Sequence, residues 1–179
     1  MNKGKKLKKL ILAFIALEIL MVGSFMPALA FDGATIYLVR HAERAEDGTN
    51  NPPLSKKGEM RAKMFAGMLH GENVTHVFST PFIRTMDTAA PTAHEHGLEV
   101  EEYDPRDSQG LVDRLKTFSG TILVTGHSNT TPGLVNLLVG SDLENLDESV
   151  YNNIYIVTFD GNGNGHLEIE HLNVADPSH

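Results

Sequence analysis

The chain has 179 residues, no cysteine and a formal net charge of −8 at pH 7. Without cysteine it has no disulfide scaffold, no thiolate nucleophile, no cysteine-ligated metal and no lipidated cysteine. The acidic balance disfavours nucleic acid and anionic membrane surfaces as partners, because both repel a negatively charged body. Any anion-binding site must therefore be a local basic pocket within a negative surround.

The first thirty residues have the three-part pattern of a secretory signal peptide. Five lysines precede an apolar run from Leu10 to Phe25, and Ala28-Leu29-Ala30 supplies the small-x-small pattern of a signal peptidase site. We expect cleavage before Phe31 and export to the periplasm or beyond. An uncleaved anchor and a cytoplasmic amphipathic segment are the alternatives. Glu18 disfavours the anchor, because a carboxylate within a membrane costs roughly 2.5 kcal/mol.

The predicted mature chain, residues 31–179, is long enough for one ordinary domain and too short for two. The removed segment carries five lysines and one glutamate, a net charge of +4, so its loss lowers the formal net charge from −8 to −12. We therefore expect a single acidic domain that does not associate with membranes once it is mature. Without disulfides, its stability must come from the hydrophobic core.

The mature part alternates short apolar runs with helical patterns. In chain order, these predict a strand at 35–39, a helix at 55–69, a strand at 74–79, a helix at 80–97 beginning at Thr80-Pro81, a strand at 98–103, a helix at 111–118, a strand at 120–125, a helix from 130, and a hairpin of 153–159 with 166–172. Alternating strands and helices indicate an α/β fold of three layers, α/β/α, with a mainly parallel sheet. The last hairpin predicts an antiparallel edge.

Basic residues follow three of the predicted strands. Arg40-His41 comes after the first strand, Arg84 lies one turn into the helix after the second, and His127 comes after the fourth. Ligands of open α/β sheets bind at the carboxyl ends of the strands, so we expect these side chains to share a pocket. Asn129 or Thr130 would cap the helix that follows His127, and its N-terminus would add backbone donors.

Two guanidinium groups and two imidazoles in one pocket suit a phosphoryl group. The guanidinium of an arginine presents a fork of donors that matches phosphate oxygens. An imidazole can act as a nucleophile or carry a proton near neutral pH. The constellation therefore predicts phosphate chemistry at this edge of the sheet.

These residues resemble the histidine phosphatase superfamily, the phosphoglycerate-mutase-like proteins, from Thr35 to about Leu172. The matching pieces are Leu38-Val39-Arg40-His41-Ala42-Glu43, Pro53-Leu54-Ser55 with Gly58, Ser79-Thr80-Pro81 with Arg84 and Thr88-Ala89, and Val124-Thr125-Gly126-His127-Ser128. The short chain is most similar to the small branch that includes phosphohistidine phosphatases, which lacks the long insertions of the mutases. The resemblance implies a phosphoglycerate-mutase-like fold that needs no metal ion or other cofactor.

The resemblance also implies roles for individual residues. His41 would attack phosphorus and become a phosphohistidine, which water would hydrolyse. Arg40, Arg84 and His127 would hold the phosphoryl oxygens and stabilise charge in the transition state. The expected substrate-binding residues are Arg40, Arg84, His127, Ser128, Arg44 and Glu43. For Glu43 two interpretations stay open, since its carboxylate could orient a neighbouring arginine or only begin a solvated turn.

The proton donor for the leaving group is expected on the loop after the third strand, where larger members of the family carry a carboxyl group. Here the loop reads Glu101-Glu102-Tyr103-Asp104-Pro105-Arg106-Asp107. Asp104 is the predicted acid, with Asp107 and then Glu102 as alternatives. A branch that cleaves phosphoramidates or activated leaving groups would need no acid.

Together these features predict an exported, metal-independent phosphatase that hydrolyses phosphomonoesters through a phosphohistidine on His41. Export favours small phosphomonoesters, sugar phosphates or phosphorylated envelope glycans over a cytoplasmic phosphorelay protein. One alternative is a binding module on the same fold that captures phosphorylated ligands without hydrolysis. Another is a phosphomutase, which the absence of long insertions disfavours.

Overall fold

The computed structural model describes residues 33–160 and 162–175. The predicted signal peptide and its cleavage site before Phe31 lie outside these residues. Among the described helices, none is both long and apolar enough to cross a membrane.

Six strands and four helices make up the described part of the chain. Their order is β1 (Thr35–Arg40), α1 (Lys56–Leu69), β2 (Val74–Ser79), α2 (Ile83–Glu95), β3 (Val100–Glu102), α3 (Ser108–Leu115), β4 (Thr121–Gly126), α4 (Thr130–Val139), β5 (Asn153–Phe159) and β6 (Gly165–His171). The predicted alternation of strands and helices is confirmed, and the bounds of β2 and β5 agree with the sequence prediction.

The strands form one sheet in the order β3-β2-β4-β1-β5-β6. The pairs β2–β3, β2–β4 and β1–β4 are parallel, whereas β1–β5 and β5–β6 are antiparallel. This confirms the predicted mainly parallel sheet with an antiparallel hairpin at one edge. Of these strands, β5 runs against the others, while the edge strand β6 again has the direction of β1.

Helices cover both faces of the sheet and produce the predicted three layers. One core cluster joins α3 and α4 to the sheet face that carries Ile36 and Leu38, and the other joins α1 and α2 to the opposite face, which carries Val39. The switch between Leu38 and Val39 follows from the two-residue period of a strand. Each fully buried aliphatic side chain stabilises the fold by about 1.5–3 kcal/mol.

The helix after β2 begins later than predicted. It starts at Ile83 and not at Thr80-Pro81, because Phe82 is extended, with φ −106° and ψ 142°. Thr85 Oγ1 is within hydrogen-bond distance of the carbonyl oxygens of Thr80 and Phe82, which holds the turn before the helix. This turn carries two side chains into the site described below.

The third helix begins earlier than predicted, and the third strand is shorter. Helix α3 starts at Ser108, because the side chain of Asp107 accepts a hydrogen bond from the Gly110 N–H and so caps it. Strand β3 covers only Val100–Glu102 of the predicted 98–103. Before α4, Asn129 occupies the N-cap position without a side-chain cap hydrogen bond.

Candidate active site

The pairing of β1 with β4 brings His41 and His127 together. Arg40 is opposite Gly126 in the parallel register, and the His41 N–H donates to the Gly126 carbonyl at 2.8 Å. Each histidine directly follows its strand, so the two rings meet edge to face with centroids 5.5 Å apart. Arg40 and His41 are buried, with only 2% and 4% of their surface exposed.

A backbone contact sets the tautomer of His41. Its Nδ1 lies 2.8 Å from the Ala42 carbonyl oxygen. Because a carbonyl only accepts hydrogen bonds, Nδ1 carries the proton and the Nε2 lone pair of the neutral ring is free. Burial, followed by the charges of Arg40 and Arg84, lowers the pKa of His41 to about 3, against the opposing effect of the Ala42 hydrogen bond. The His41 ring is therefore neutral at pH 7, with an oriented Nε2 lone pair that can act as a nucleophile.

Arginine donors without partners lie in the same pocket. Nε of Arg40 and both Nε and Nη1 of Arg84 are buried and have no hydrogen-bond partner within the described part of the chain. Burial, then repulsion from Arg44 and Arg40, lowers the pKa of Arg84 from its usual value. Buried guanidinium donors normally find acceptors, so these three mark where an anion would bind.

The segment Asp147–Tyr151 holds the other side of Arg40. Nη1 of Arg40 lies 3.0 Å from each of the carbonyl oxygens of Asp147, Glu148 and Val150, and Nη2 donates to Glu148 Oε2 at 2.6 Å. The guanidinium also stacks over the ring of Tyr151, 4.3 Å from its centroid. Sequence reasoning missed these contacts, because the segment has no apolar periodicity and no motif.

His127 is held by the turn that precedes α2. Its Nε2 is 2.9 Å from Thr80 Oγ1, and its ring meets the Phe82 ring edge to face at 4.9 Å. The backbone N–H of His127 donates to Thr130 Oγ1 at 2.8 Å. Burial, then the charges of Arg84 and Arg40, lowers the pKa of His127 to about 4, so this ring is also neutral at pH 7.

Thr88 fixes the loop that carries His41. Its hydroxyl donates to the Arg84 carbonyl at 2.7 Å and accepts from the Ala42 N–H at 2.9 Å. Thr88 is fully buried. The hydroxyl thus ties the nucleophile loop to the helix that supplies Arg84, which explains why a threonine belongs to this motif.

These side chains line a cavity of about 410 Å³. Its lining residues are Arg40, His41, Arg44, Phe82, Arg84, Pro105, Arg106, His127, Ser128, Asn129, Thr130 and Glu148. Four arginines face a single carboxylate among these residues, so the cavity is a local basic pocket on an acidic protein. A second cavity of about 730 Å³ adjoins it, shares Phe82, Pro105 and Arg106 with it, and is also lined by Tyr103.

Most of the predicted site residues line the first cavity, but Glu43 does not. Both oxygens of its carboxylate accept hydrogen bonds from buried Arg61, at 2.9 and 2.7 Å. Glu43 therefore orients an arginine, one of the two interpretations that the sequence left open. In this structure the Glu43 carboxylate faces Arg61 and is not part of the cavity wall, so its contact with substrate stays a prediction.

The predicted acid is also outside the cavity that contains His41. Asp104 accepts hydrogen bonds from Nε and Nη2 of Arg106 at 3.0 Å each, and this pairing lowers its pKa. A carboxyl group held ionised in this way is a poor proton donor. Asp107 caps α3, and Glu102 lines only the adjoining cavity. The structure thus brings none of the three candidate acids against His41.

Within residues 33–160 and 162–175, no group of three or more His, Asp or Glu side chains has an arrangement that could hold a metal ion.

The sequence matches known proteins over part of its length. Residues 36–106 match the model of the histidine phosphatase superfamily, branch 1. The probable phosphoglycerate mutase GpmB of Serratia proteamaculans (strain 568) is 36% identical over 77 residues, which cover 40% of this chain and 35% of that protein. GpmB of Escherichia coli O1:K1 / APEC is 30% identical over 127 residues, 64% of this chain and 59% of that protein. The chain thus spans from a third to three-fifths of these relatives.

Solved structures share the fold over most of this chain. One is the protein histidine phosphatase SixA, complexed with tungstate. The match has a TM-score of 0.58 and 24% sequence identity, and it covers 76% of this chain and 96% of the SixA chain. Another is mycobacterial glucosyl-3-phosphoglycerate phosphatase, which matches with a TM-score of 0.62 and 13% sequence identity over 78% of this chain and 99% of the phosphatase chain. Residues 36–106 thus resemble the histidine phosphatase superfamily, as the sequence motifs predicted, and the chain shares the fold of these solved phosphatases.

Proposed function

We propose that this protein is a phosphatase that hydrolyses phosphomonoesters through a phosphohistidine on His41, without a metal ion. One observation carries the proposal: the free Nε2 of a neutral, oriented His41 lies in a pocket with three unpartnered guanidinium donors of Arg40 and Arg84. A phosphoryl group satisfies both requirements, because its oxygens accept the donors and its phosphorus accepts the lone pair.

The reaction follows from these positions in two steps. The Nε2 lone pair of His41 forms a bond to phosphorus as the bond from phosphorus to the leaving oxygen breaks. Nδ1 keeps its proton, and the Ala42 carbonyl stabilises the cationic phosphoimidazole through the existing hydrogen bond. Water then attacks phosphorus, the nitrogen–phosphorus bond breaks, and inorganic phosphate leaves while His41 recovers its lone pair. Arg40 and Arg84 bind the oxygens throughout.

The leaving group would occupy the adjoining cavity. That cavity shares Phe82, Pro105 and Arg106 with the phosphate pocket, and its wall includes Tyr103. It is large enough for a sugar, a short chain or an aromatic ring, in keeping with small phosphomonoesters as substrates. Glu102 and Asp104 also line this cavity, but neither lines the pocket of His41, and Arg106 holds Asp104 ionised. The leaving oxygen therefore takes its proton from water, which favours substrates with good leaving groups.

Hydrolysis of an aryl phosphate in the presence of a chelator tests the proposal. We expect turnover by the wild type and loss of turnover in His41→Ala. His94→Ala is the matched control, because its exposed side chain has no hydrogen bond or ion pair to a described residue. Retained turnover in His41→Ala would refute the phosphohistidine mechanism. Dependence of turnover on a metal ion would refute the metal-free mechanism.

A binding module on the same fold is the second candidate. The pairing of Asp104 with Arg106 favours it, since the pocket then lacks an oriented proton donor. Stable phosphate binding without turnover of aryl or alkyl esters would support this candidate over the phosphatase. A phosphomutase would instead transfer the phosphoryl group between two positions of one substrate, and 3-phosphoglycerate tests for it.

Export is part of the proposal and rests on residues 1–30. The cationic start, apolar run and Ala28-Leu29-Ala30 support a cleaved signal peptide. The N-terminal sequence of the protein recovered from the periplasmic or extracellular fraction should begin at Phe31. Recovery of the uncleaved chain with the membrane fraction would favour the anchor.

A further inference from the structure

The carboxylate of Glu148 lines the phosphate pocket and binds two donors of its wall. One of its oxygens accepts from Arg40 Nη2 at 2.6 Å, and the other accepts from Ser128 Oγ at 2.7 Å. Arg40 and Ser128 come from two different strand ends and both line the phosphate pocket. Two oxygens of one anion thus bridge the β1 and β4 sides of the site, as two oxygens of a phosphate would.

We infer that Glu148 is a built-in competitor for the phosphoryl site, which binds Arg40 and Ser128 in the free protein and moves aside when a phosphate enters. The inference rests on the proposed function, because it concerns the same pocket. Its consequence is a weaker affinity for substrate and for product phosphate than the arginines alone would provide. Glu148 would then set the concentration range in which the site fills.

The surrounding segment does not need the carboxylate to stay in place. The Leu146 N–H donates to the Ser128 carbonyl at 2.9 Å, and the Val150 N–H donates to the Asp147 carbonyl at 3.0 Å. Arg40 Nη1 contacts three carbonyl oxygens of the same segment. The backbone is therefore anchored on both sides of Glu148, and the side chain can rotate away without unfolding the loop.

Displacement of the carboxylate costs little. The Glu148 side chain is 73% exposed, so water can solvate it once it leaves Arg40. Arg40 is buried but keeps three backbone carbonyl acceptors when the carboxylate leaves, so the loss should approach that of an exposed ion pair, about 1 kcal/mol, which is roughly fivefold in affinity. If the carboxylate stayed, it would repel a phosphate dianion only a few ångströms away. The geometry therefore fits a Glu148 carboxylate that moves away when phosphate binds better than one that stays and contacts the substrate.

The same contacts argue against Glu148 as the missing acid. Hydrogen bonds from Ser128 and Arg40, with the Arg40 charge, lower the pKa of Glu148. A group held ionised by two donors has no proton to give. Its role is therefore that of an anion in the pocket.

Phosphate binding to Glu148→Gln tests the inference. Glutamine keeps the size of the side chain and removes its charge. We expect titration calorimetry to show inorganic phosphate binding to Glu148→Gln roughly fivefold or more tighter than to the wild type. Glu144→Gln is the matched control, because it removes the same charge from the same connection between α4 and β5. The Glu144 side chain is exposed and has no hydrogen bond or ion pair to a described residue. It should bind within about twofold of the wild type.

Kinetics separates the competitor from other roles. In Glu148→Gln, KM for aryl phosphate and the inhibition constant of phosphate should fall by similar factors. Unchanged or weaker phosphate binding would overturn the inference and assign Glu148 to the positioning of Arg40. Loss of kcat on an alkyl phosphate, with turnover of the aryl phosphate retained, would overturn it in favour of an acid. Glu148→Ala should behave as Glu148→Gln does.

The two proposals fail in different ways. If phosphate binds tighter to Glu148→Gln but no variant hydrolyses any ester, the competitor stands and the phosphatase does not. If the wild type hydrolyses esters but binds phosphate as tightly as Glu148→Gln does, the phosphatase proposal stands and the competitor proposal does not. If no variant binds phosphate, the pocket is not a phosphoryl site and the inference is overturned with it.

Discussion

Mild acid should destabilise this protein through its two site histidines. Their pKa values in the folded protein, about 3 for His41 and about 4 for His127, lie below the value of about 6.5 for an unfolded histidine. Below pH 6.5 these two histidines therefore bind protons in the unfolded chain but stay neutral in the folded protein, so acid favours unfolding. The stability is complete above pH 6.5 and is lost progressively as the pH falls towards the folded pKa values.

The magnitude follows from linkage. Between about pH 7 and about pH 5.5, an unfolded histidine takes up most of one proton, which costs the folded state about 1.3 kcal/mol for each histidine that stays neutral. His41 is buried and contributes this amount in full. His127 is partly exposed, so solvent reduces its share and the pair contributes about 2 kcal/mol. Carboxyl groups contribute little over this range, because their unfolded pKa values lie near 4.

Urea unfolding at the two pH values, in buffers without phosphate, measures the effect. The wild type should lose about 2 kcal/mol of unfolding free energy between about pH 7 and about pH 5.5, and His41→Ala about 1 kcal/mol or less. Since only the difference between pH values is compared, the cost of truncating the ring cancels. His94→Ala should lose as much as the wild type. An equal loss in wild type and His41→Ala would refute the argument, because His41 would then take up its proton in the folded state.

Two substitutions test the geometry of the site and of its supporting loop. Arg84→Lys replaces two unpartnered donors of a planar guanidinium by one ammonium group. We expect kcat/KM for an aryl phosphate to fall about a hundredfold while the circular dichroism spectrum stays unchanged. A fall under about threefold would contradict the proposed role of Arg84. Gly58→Ala would place a Cβ 2.1 Å from the Glu43 carbonyl oxygen, in the loop after His41, and should destabilise the protein by about 2 kcal/mol or more in urea unfolding. Gly67→Ala, in the same helix with nothing within 4 Å of the new Cβ, should instead stabilise it by about 0.5–1 kcal/mol, and equal effects at the two glycines would contradict the packing argument.

The arrangement of the strand ends was predictable because strong local patterns determine it. Arg40-His41 and His127 each follow an apolar run that the alternation of strands and helices marks as parallel. Adjacent parallel strands end at the same edge, and β1, β2 and β4 are neighbours in the sheet. Arg84 lies near the start of the helix after β2, close enough to reach the same edge. Motif spacing therefore predicted which side chains meet, without any knowledge of their hydrogen bonds.

The contacts that complete the site were not predictable in the same way. Glu148 and Tyr151 lie between α4 and β5, where the sequence has neither apolar period nor motif, and only tertiary packing brings them to Arg40. The position of Asp104 outside the His41 cavity has a local cause. A neighbouring arginine two residues away binds the carboxylate, and composition alone cannot tell whether such a carboxylate faces its neighbour or the pocket.

The late start of α2 has a similar origin. Pro81 is well suited to the first turn of a helix, so the local signal favoured a start at Thr80-Pro81. In the structure Phe82 stays extended while its ring contacts His127 and lies under the Arg84 guanidinium, 4.7 Å from the Arg84 Cζ. Contacts to the site thus override the local preference, and the three residues lost from the helix line one of the two cavities or hold His127.

The buried donors and neutral histidines of the pocket carry a cost that a bound phosphate can recover. Buried donors of Arg40 and Arg84 lack acceptors, and both histidines are held neutral against their usual tendency to protonate in mild acid. Glu148 offsets part of this cost by neutralising one guanidinium from the solvent side. An anion that satisfies all three donors and raises both histidine pKa values should therefore stabilise the fold more strongly in mild acid than at neutral pH. The same features that destabilise the free site thus favour the binding of an anion such as phosphate.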